Sequence, residues 1–194
     1  MSRIDGYLAS LAARLTQIPA AGIVALEMAV WDAYQRDAMI FTCGNGGSAA
    51  SATHLACDLQ KWTIVPGRRR VRAMSLGDNA ALLSAWGNDA AYADVFVEPL
   101  QNLFRPGDLV LAISGSGNSP NVLRAITWAN EHGGATVGLS GFDGGALARL
   151  AQVALVVPSA FMPEVEDMHL ALCHGLAVTL AERIRASAHE DHPA

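Results

Sequence analysis

Charge is scarce in this chain. Of its 194 residues only 16% are charged and 52% are hydrophobic, with a formal net charge of −5. So apolar a composition excludes a disordered polyelectrolyte, and the acidic balance leaves no electrostatic footprint for nucleic acid. The one basic run, Arg68-Arg69-Arg70 after Pro66-Gly67, is expected to be a solvated loop. Cysteine is equally sparse. Cys43, Cys57 and Cys173 are too few and too widely spaced for a disulfide framework or a thiolate zinc site, and they fit a reducing compartment. No apolar run approaches membrane-spanning length, and no apolar leader-like stretch follows Met1. The expectation is a cytoplasmic protein with neither membrane nor nucleic-acid partners. A chain of this length is most simply one domain with a substantial core, and its apolar surplus implies helix surface buried between subunits.

What is present is alternation. Residues 3–36 carry helical spacing interrupted near Pro19: Leu8, Leu11, Leu15 and Ile18 form one stripe, and Ile23, Leu26, Val30 and Ala33 continue it. Beyond them, short apolar runs lie at 38–43, 71–76, 108–113, 135–140 and 152–157. Helix-like stretches at 47–61, 79–86, 90–104, 119–132 and 144–150 separate them, and a long helix at 163–186 closes the series. Strand–helix alternation with near-continuously apolar strands predicts an α/β fold, a parallel sheet covered on both faces in a three-layer, flavodoxin-like sandwich. Residues 1–36 are then helices for oligomer packing, 37–186 the α/β body, and 187–194 a flexible, solvated tail holding His189 and His192.

Two of the predicted strands end alike. Leu111-Ala-Ile-Ser-Gly-Ser-Gly-Asn-Ser-Pro and Phe41-Thr-Cys-Gly-Asn-Gly-Gly-Ser each pass from apolar residues into glycine, serine and asparagine, just where a helix begins. In a parallel sheet ligands bind outside the carboxyl ends of strands. A helix starting there offers free N–H groups and a positive dipole end. Glycines admit the ligand to the backbone, and serine hydroxyls add donors worth roughly 1.5–3 kcal/mol each toward a charged acceptor. Gly44-Asn-Gly-Gly-Ser lacks the lysine of a Walker loop, and Pro120 stands where a dinucleotide fingerprint needs its third glycine. The chemistry left is a serine cradle for a sugar phosphate. The alternative is a pair of ordinary helix N-caps.

Ser114-Gly-Ser-Gly-Asn-Ser resembles the phosphate loop of the sugar isomerase (SIS) domain family. Together with Cys43-Gly-Asn-Gly-Gly-Ser, Gly87-Asn-Asp and Gly141-Phe-Asp-Gly-Gly it resembles the phosphoheptose isomerases of that family, in order and over nearly the whole chain. The resemblance implies that Ser48, Ser114, Ser116 and Ser119 hold the phosphate with backbone help around Gly115, and that Asn45, Asp89 and Glu166 contact the sugar. It also implies a homotetramer with its terminal helices packed centrally and active sites between subunits.

Two pairs of residues stand out beside the loops. His54 and Asp58 lie at i and i+4 on one helix face. Glu166 and His174, eight apart, are offset by roughly 80° about theirs. Two histidines and two carboxylates can make a tetrahedral zinc site. The resembled enzymes carry a like set, zinc-binding in several members, with Glu where Asp58 stands and Gln where Glu166 stands. Asp58 shortens the reach and Glu166 adds a charge for a metal or proton to balance. By that resemblance His174 and Asp58 are the catalytic acid/base pair, and His54, Asp58, Glu166 and His174 the zinc ligands. His169 is expected to be a structural or interface histidine, and Cys57 and Cys173 core residues.

The activity so implied is aldose–ketose isomerisation of D-sedoheptulose 7-phosphate to D-glycero-D-manno-heptose 7-phosphate through an enediolate, for heptose biosynthesis. The rival readings are an isomerase or epimerase of another sugar phosphate, and a non-catalytic SIS module binding a sugar phosphate or a replication-initiation protein.

Overall fold

The computed structural model describes residues 2–190. Five parallel strands, β1 (Met39–Cys43), β2 (Arg72–Ser75), β3 (Leu109–Ile113), β4 (Ala135–Ser140) and β5 (Val153–Val156), form one sheet in the order β2-β1-β3-β4-β5. The helices are α1 (Arg3–Leu15), α2 (Ala20–Gln35), α3 (Gly47–Lys61), α4 (Ala80–Asp89), α5 (Val97–Leu103), α6 (Pro120–Glu131), α7 (Leu147–Leu150) and α8 (Met162–Glu190). This is the three-layer α/β sandwich that the alternation predicts. Successive residues of each strand face opposite layers. Ile40, Leu109, Leu111 and Val137 pack with Leu26, Leu55, Leu59, Leu172 and Leu176 of α2, α3 and α8. Phe41, Val110 and Ala112 pack with Phe96, Leu100, Val122, Ile126 and Leu147 on the α5, α6 and α7 side.

Burial follows position in the sheet. The central strand β3 is buried throughout, whereas the edge strand β2 alternates, with Arg72 and Met74 exposed and Ala73 and Ser75 buried. Near-continuous apolar strands are thus a property of the middle of the sheet. The stretch expected to be one helix over 90–104 is a 3-10 turn at Tyr92–Asp94 followed by α5. The helix expected over 144–150 starts only at Leu147, because Gly144 and Gly145 adopt positive φ of 85° and 58° and make a turn. α8 runs through Glu190, beyond the expected end at 186, and residues 191–194, with His192, lie outside the described residues.

α1 begins on a capping box, Asp5 N–H donating to Ser2 Oγ at 3.1 Å and Ser2 N–H to Asp5 Oδ2 at 2.7 Å. None of its side chains is buried, and Ile4 and Leu8 are exposed together with Val24 and Met28 of α2. Polar contacts tie α1 to α8: Tyr7 Oη donates to Asp167 at 2.5 Å, and Ser10 Oγ to Glu164 at 2.5 Å. Of the arginine run expected to be a solvated loop, Arg69 and Arg70 are exposed, whereas Arg68 is half-buried. Arg69 donates to the Tyr34 and Gln35 carbonyls and lies 4.6 Å from the Tyr34 ring centroid, so it closes the carboxyl end of α2. Among the described residues no single helix is long and apolar enough to cross a membrane; α1 and α2 pass that test only as a pair bent by 75°.

Candidate active site

The strand order fixes where a ligand can sit. The chain leaves β1 toward β2 on one side and β3 toward β4 on the other, so a crevice opens at the carboxyl ends of β1 and β3. The two glycine–serine junctions are the loops that follow these strands. They line a cleft of about 240 Å³ made by Asn45, Gly46, Gly47, Ser48, Ser114, Gly115, Ser116 and Ser119, closed by Met162 and Glu166 of α8. Ser48 and Ser114 are buried, and Ser114 Oγ donates to Ser119 Oγ at 3.4 Å. Neither α3 nor α6 has a side-chain cap hydrogen bond at its start. The two junctions are therefore not ordinary capped starts, and the amino ends of both helices face the cleft.

Close backbone approach holds the loops together. Gly141 N–H donates to the Gly115 carbonyl and Leu147 N–H to the Gly117 carbonyl, both at 2.9 Å. Gly117 has φ +65° and packs on the Gly144 carbonyl, leaving no room for a β-carbon. The segment Gly141–Gly145 thus buttresses the serine loop. At Gly47 a β-carbon would come within 2.5 Å of Glu166 Cδ and Oε2, so the absence of a side chain there admits this carboxylate to the wall of the cleft.

A second cluster lies farther along α3 and α8. His54 Nε2 stands 3.5 Å from Asp58 Oδ2 and 3.1 Å from His174 Nε2, and His174 Nε2 is 4.0 Å from Asp58 Oδ2. The imidazoles meet edge to face with centroids 4.7 Å apart. All three ligand atoms lie within 4.8 Å of one another. Zinc ligands at 2.0–2.1 Å in tetrahedral array stand about 3.3 Å apart, so two nitrogens and one oxygen at these spacings suit a zinc ion with one position open. Both rings are half exposed, which leaves the cluster accessible to a substrate.

The sequence-predicted residues divide between these two places. Asn45, Ser48, Ser114, Gly115, Ser116, Ser119 and Glu166 line the cleft, and His54, Asp58 and His174 form the cluster. Glu166 is not among the three clustered ligands: eight residues separate it from His174, about 12 Å along the helix axis, and its carboxylate faces Gly47. Asp89 ends α4, exposed, accepts from Asn88 Nδ2 at 2.7 Å, and is not part of the cleft wall of this protomer. Cys57 is exposed rather than in the core, because it lies three residues after His54 and shares its outward side of α3. Cys173 is buried as expected, and burial pushes its thiol, like that of Cys43, up to about 12. His169 is fully buried, in keeping with a structural role. Sequence reasoning missed Asn121 and Tyr92. Asn45 Nδ2 donates to Asn121 Oδ1 and Asn121 Nδ2 to Asn45 Oδ1, both at 2.9 Å, and Tyr92 Oη donates to Asn45 Oδ1 at 3.2 Å.

Known proteins share this architecture. The SIS domain model matches residues 6–141. The phosphoheptose isomerase of Pelobacter propionicus is 41% identical over 143 residues, covering 74% of this chain and 75% of that protein. The lincomycin biosynthesis protein LmbN of Streptomyces lincolnensis is 39% identical over 162 residues, and the match spans 78% of this chain but only 59% of LmbN. The solved phosphoheptose isomerase GmhA of Neisseria gonorrhoeae superposes with a TM-score of 0.85 at 29% identity, covering 93% of this chain and 97% of that one. A serine cleft at the sheet's switch point, backed by this similarity, identifies the chain as a member of the phosphoheptose isomerase family of SIS-domain proteins.

Proposed function

We propose that the protein is an aldose–ketose isomerase that converts D-sedoheptulose 7-phosphate into D-glycero-D-manno-heptose 7-phosphate. The observation that carries this reading is the pairing, on α3 and α8, of an anion cleft with a histidine–carboxylate cluster. Ser48 and His54 are six residues apart, about 9 Å along the helix axis. A seven-carbon chain extended from its phosphate reaches on the order of 9–10 Å, given carbon–carbon bonds of roughly 1.5 Å. With the phosphate on Ser48, Ser114, Ser116 and Ser119, C1 and C2 come to the cluster.

The reaction moves a proton from C1 to C2 while the two oxygens exchange theirs. Asp58 and His174 are the pair that removes and returns it: one takes the C1 proton as base, the enediolate forms, and the other protonates C2. His54 Nε2, Asp58 Oδ2 and His174 Nε2 would hold a zinc ion, which would supply Lewis-acid stabilisation of the oxyanion and leave the second Asp58 oxygen and His174 Nδ1 as the atoms able to carry the proton. Anchoring the phosphate at the far end fixes the reactive carbons against these groups, the kind of positioning that lowers a barrier without new chemistry. A sugar-phosphate receptor without catalysis has no use for the cluster, which favours the enzyme. The family resemblance further supports a homotetramer with sites between subunits, where the exposed apolar side chains of α1 and α2 find cover.

The test is solvent exchange. In D2O the zinc-supplemented protein should incorporate deuterium at the migrating position of sedoheptulose 7-phosphate and yield the heptose phosphate, both read by NMR. Absence of exchange at high enzyme concentration refutes the assignment.

A further inference from the structure

Asn45 and Asn121 come from different loops. Asn45 follows β1 and lines the cleft, whereas Asn121 lies in the first turn of α6 and is 2% exposed. Their side-chain amides form a closed pair, each nitrogen donating to the other's oxygen at 2.9 Å. An isolated amide pair has two equivalent orientations, but a third contact removes the choice. Val122 N–H donates to Asn121 Oδ1 at 3.0 Å, and a backbone donor cannot face an NH2 group. That bond fixes which end of Asn121 is oxygen, and the pairing then fixes Asn45. Tyr92 Oη, from the 3-10 turn, gives the Asn45 oxygen its second donor at 3.2 Å.

Both acceptor positions of Asn45 Oδ1 are thereby filled, and its nitrogen keeps one N–H that the pair does not use. A ligand in the cleft can meet this amide only as an acceptor. We infer that Asn121 is a positioning residue that locks Asn45 as a one-way hydrogen-bond donor toward an oxygen acceptor of the sugar phosphate. The inference rests on the proposed sugar-phosphate reading of the cleft. It assigns specificity as well as order: a phosphate, carbonyl or hydroxyl oxygen satisfies Asn45, and an ammonium at the same position does not. The same bonds tie the β1 loop, the α6 start and the 3-10 turn into one frame, so that the two halves of the cleft hold their spacing before ligand arrives.

The test uses the full chain with Asn45→Ala, Asn121→Ala, the double variant and Tyr92→Phe. Asn121→Asp is the fallback should Asn121→Ala not fold, since it still accepts from Val122 N–H but cannot donate to Asn45. Because Asn45 lines the cleft and lies outside the His54, Asp58 and His174 cluster, Asn45→Ala and Asn121→Ala are each expected to raise KM for sedoheptulose 7-phosphate roughly tenfold with kcat within about twofold. The double variant should be no worse than Asn45→Ala, and Tyr92→Phe should give a smaller rise. Multiplying losses in the double variant, or an unchanged KM in Asn121→Ala and Asn121→Asp, overturn the inference. Side-chain amide NMR reads the network without turnover. Titrating wild type with sedoheptulose 7-phosphate should shift the Asn45 amide protons, and in Asn121→Asp that shift should be lost; a silent Asn45 in wild type overturns the inference. A chain that binds with this shift yet performs no isomerisation counts against the proposed reaction and leaves the positioning role standing.

Discussion

Replacing Gly141 by alanine should loosen the seat of α8 on the sheet. A β-carbon at this position would lie 2.5 Å from Val165 Cγ2 and 2.7 Å from Cγ1, where ordinary carbon contacts are about 3.5–4.0 Å. The neighbour must therefore give by about 1 Å. Val165 is fully buried, and a β-branched residue in a helix has one strongly preferred rotamer, so rotation offers no relief. Gly141 is not at positive φ, so the penalty is steric alone. Overpacking of this kind costs about 1–3 kcal/mol. For a chain of this size, at about 2–4 °C per kcal/mol, Tm should fall by roughly 2–12 °C. Displacing the first turns of α8 also moves Met162 and Glu166 from the cleft, so KM for the sugar phosphate should rise. Thermal unfolding of Gly141→Ala, Val165→Ala and the double variant forms the assay. Removing the valine methyls opens the space the new methyl needs, so the double variant should be more stable than the sum of the single losses by at least about 1 kcal/mol. Additivity to within about 0.5 kcal/mol refutes the steric account.

Ser114→Ala removes a buried hydroxyl from the cleft, and KM should rise about tenfold or more with a smaller change in kcat, as measured by steady-state kinetics. His174→Ala and Asp58→Asn should each lower kcat by roughly 10²–10⁴-fold while inorganic phosphate still binds the serine cleft by titration. His54→Ala should lower zinc content after dialysis at fixed free zinc, measured by atomic emission, because it removes one of three clustered ligands. Burial holds the His169 imidazole down to about 4, with only the backbone of Ser140 opposing. Between that value and about 6.5 the unfolded chain binds a proton that the folded chain refuses, so stability is full above pH 6.5 and declines as pH falls toward 4. Tm of the native chain should therefore drop across this window, and His169→Leu should flatten the drop.

The sheet and most helices were legible because burial on both faces writes itself as apolar runs, and these place all five strands within a residue or two. The misreadings have local causes. Gly144 and Gly145 look like a helix start by position, yet their positive φ makes a turn. Cys57 reads as core when compared with Asp58, its neighbour, and as surface when compared with His54, one turn away. The angular match between Glu166 and His174 is real, but angle says nothing of the distance along the axis, and the helix delivers the two groups to different ends of the site. The Asn45–Asn121 pair had no sequence signal at all. It exists because β1 and β3 are neighbours, and adjacency is settled by topology, 76 positions away in the chain.

The glycine–serine loop after β1 and the His54 imidazole are joined by the unbroken helix α3, and on the proposed reading this constrains how substrate preference can drift. Deleting one residue between Ser48 and His54 would shorten α3 by only about 1.5 Å but turn His54 by roughly 100°, out of line with Asp58's partner on α8. Small length edits in α3 are thus forbidden as a route to shorter or longer sugars. Retuning must come through the glycine loop at 44–46 or through side chains such as Met162 that cap the cleft, and those are the positions at which a library for altered chain length should be built.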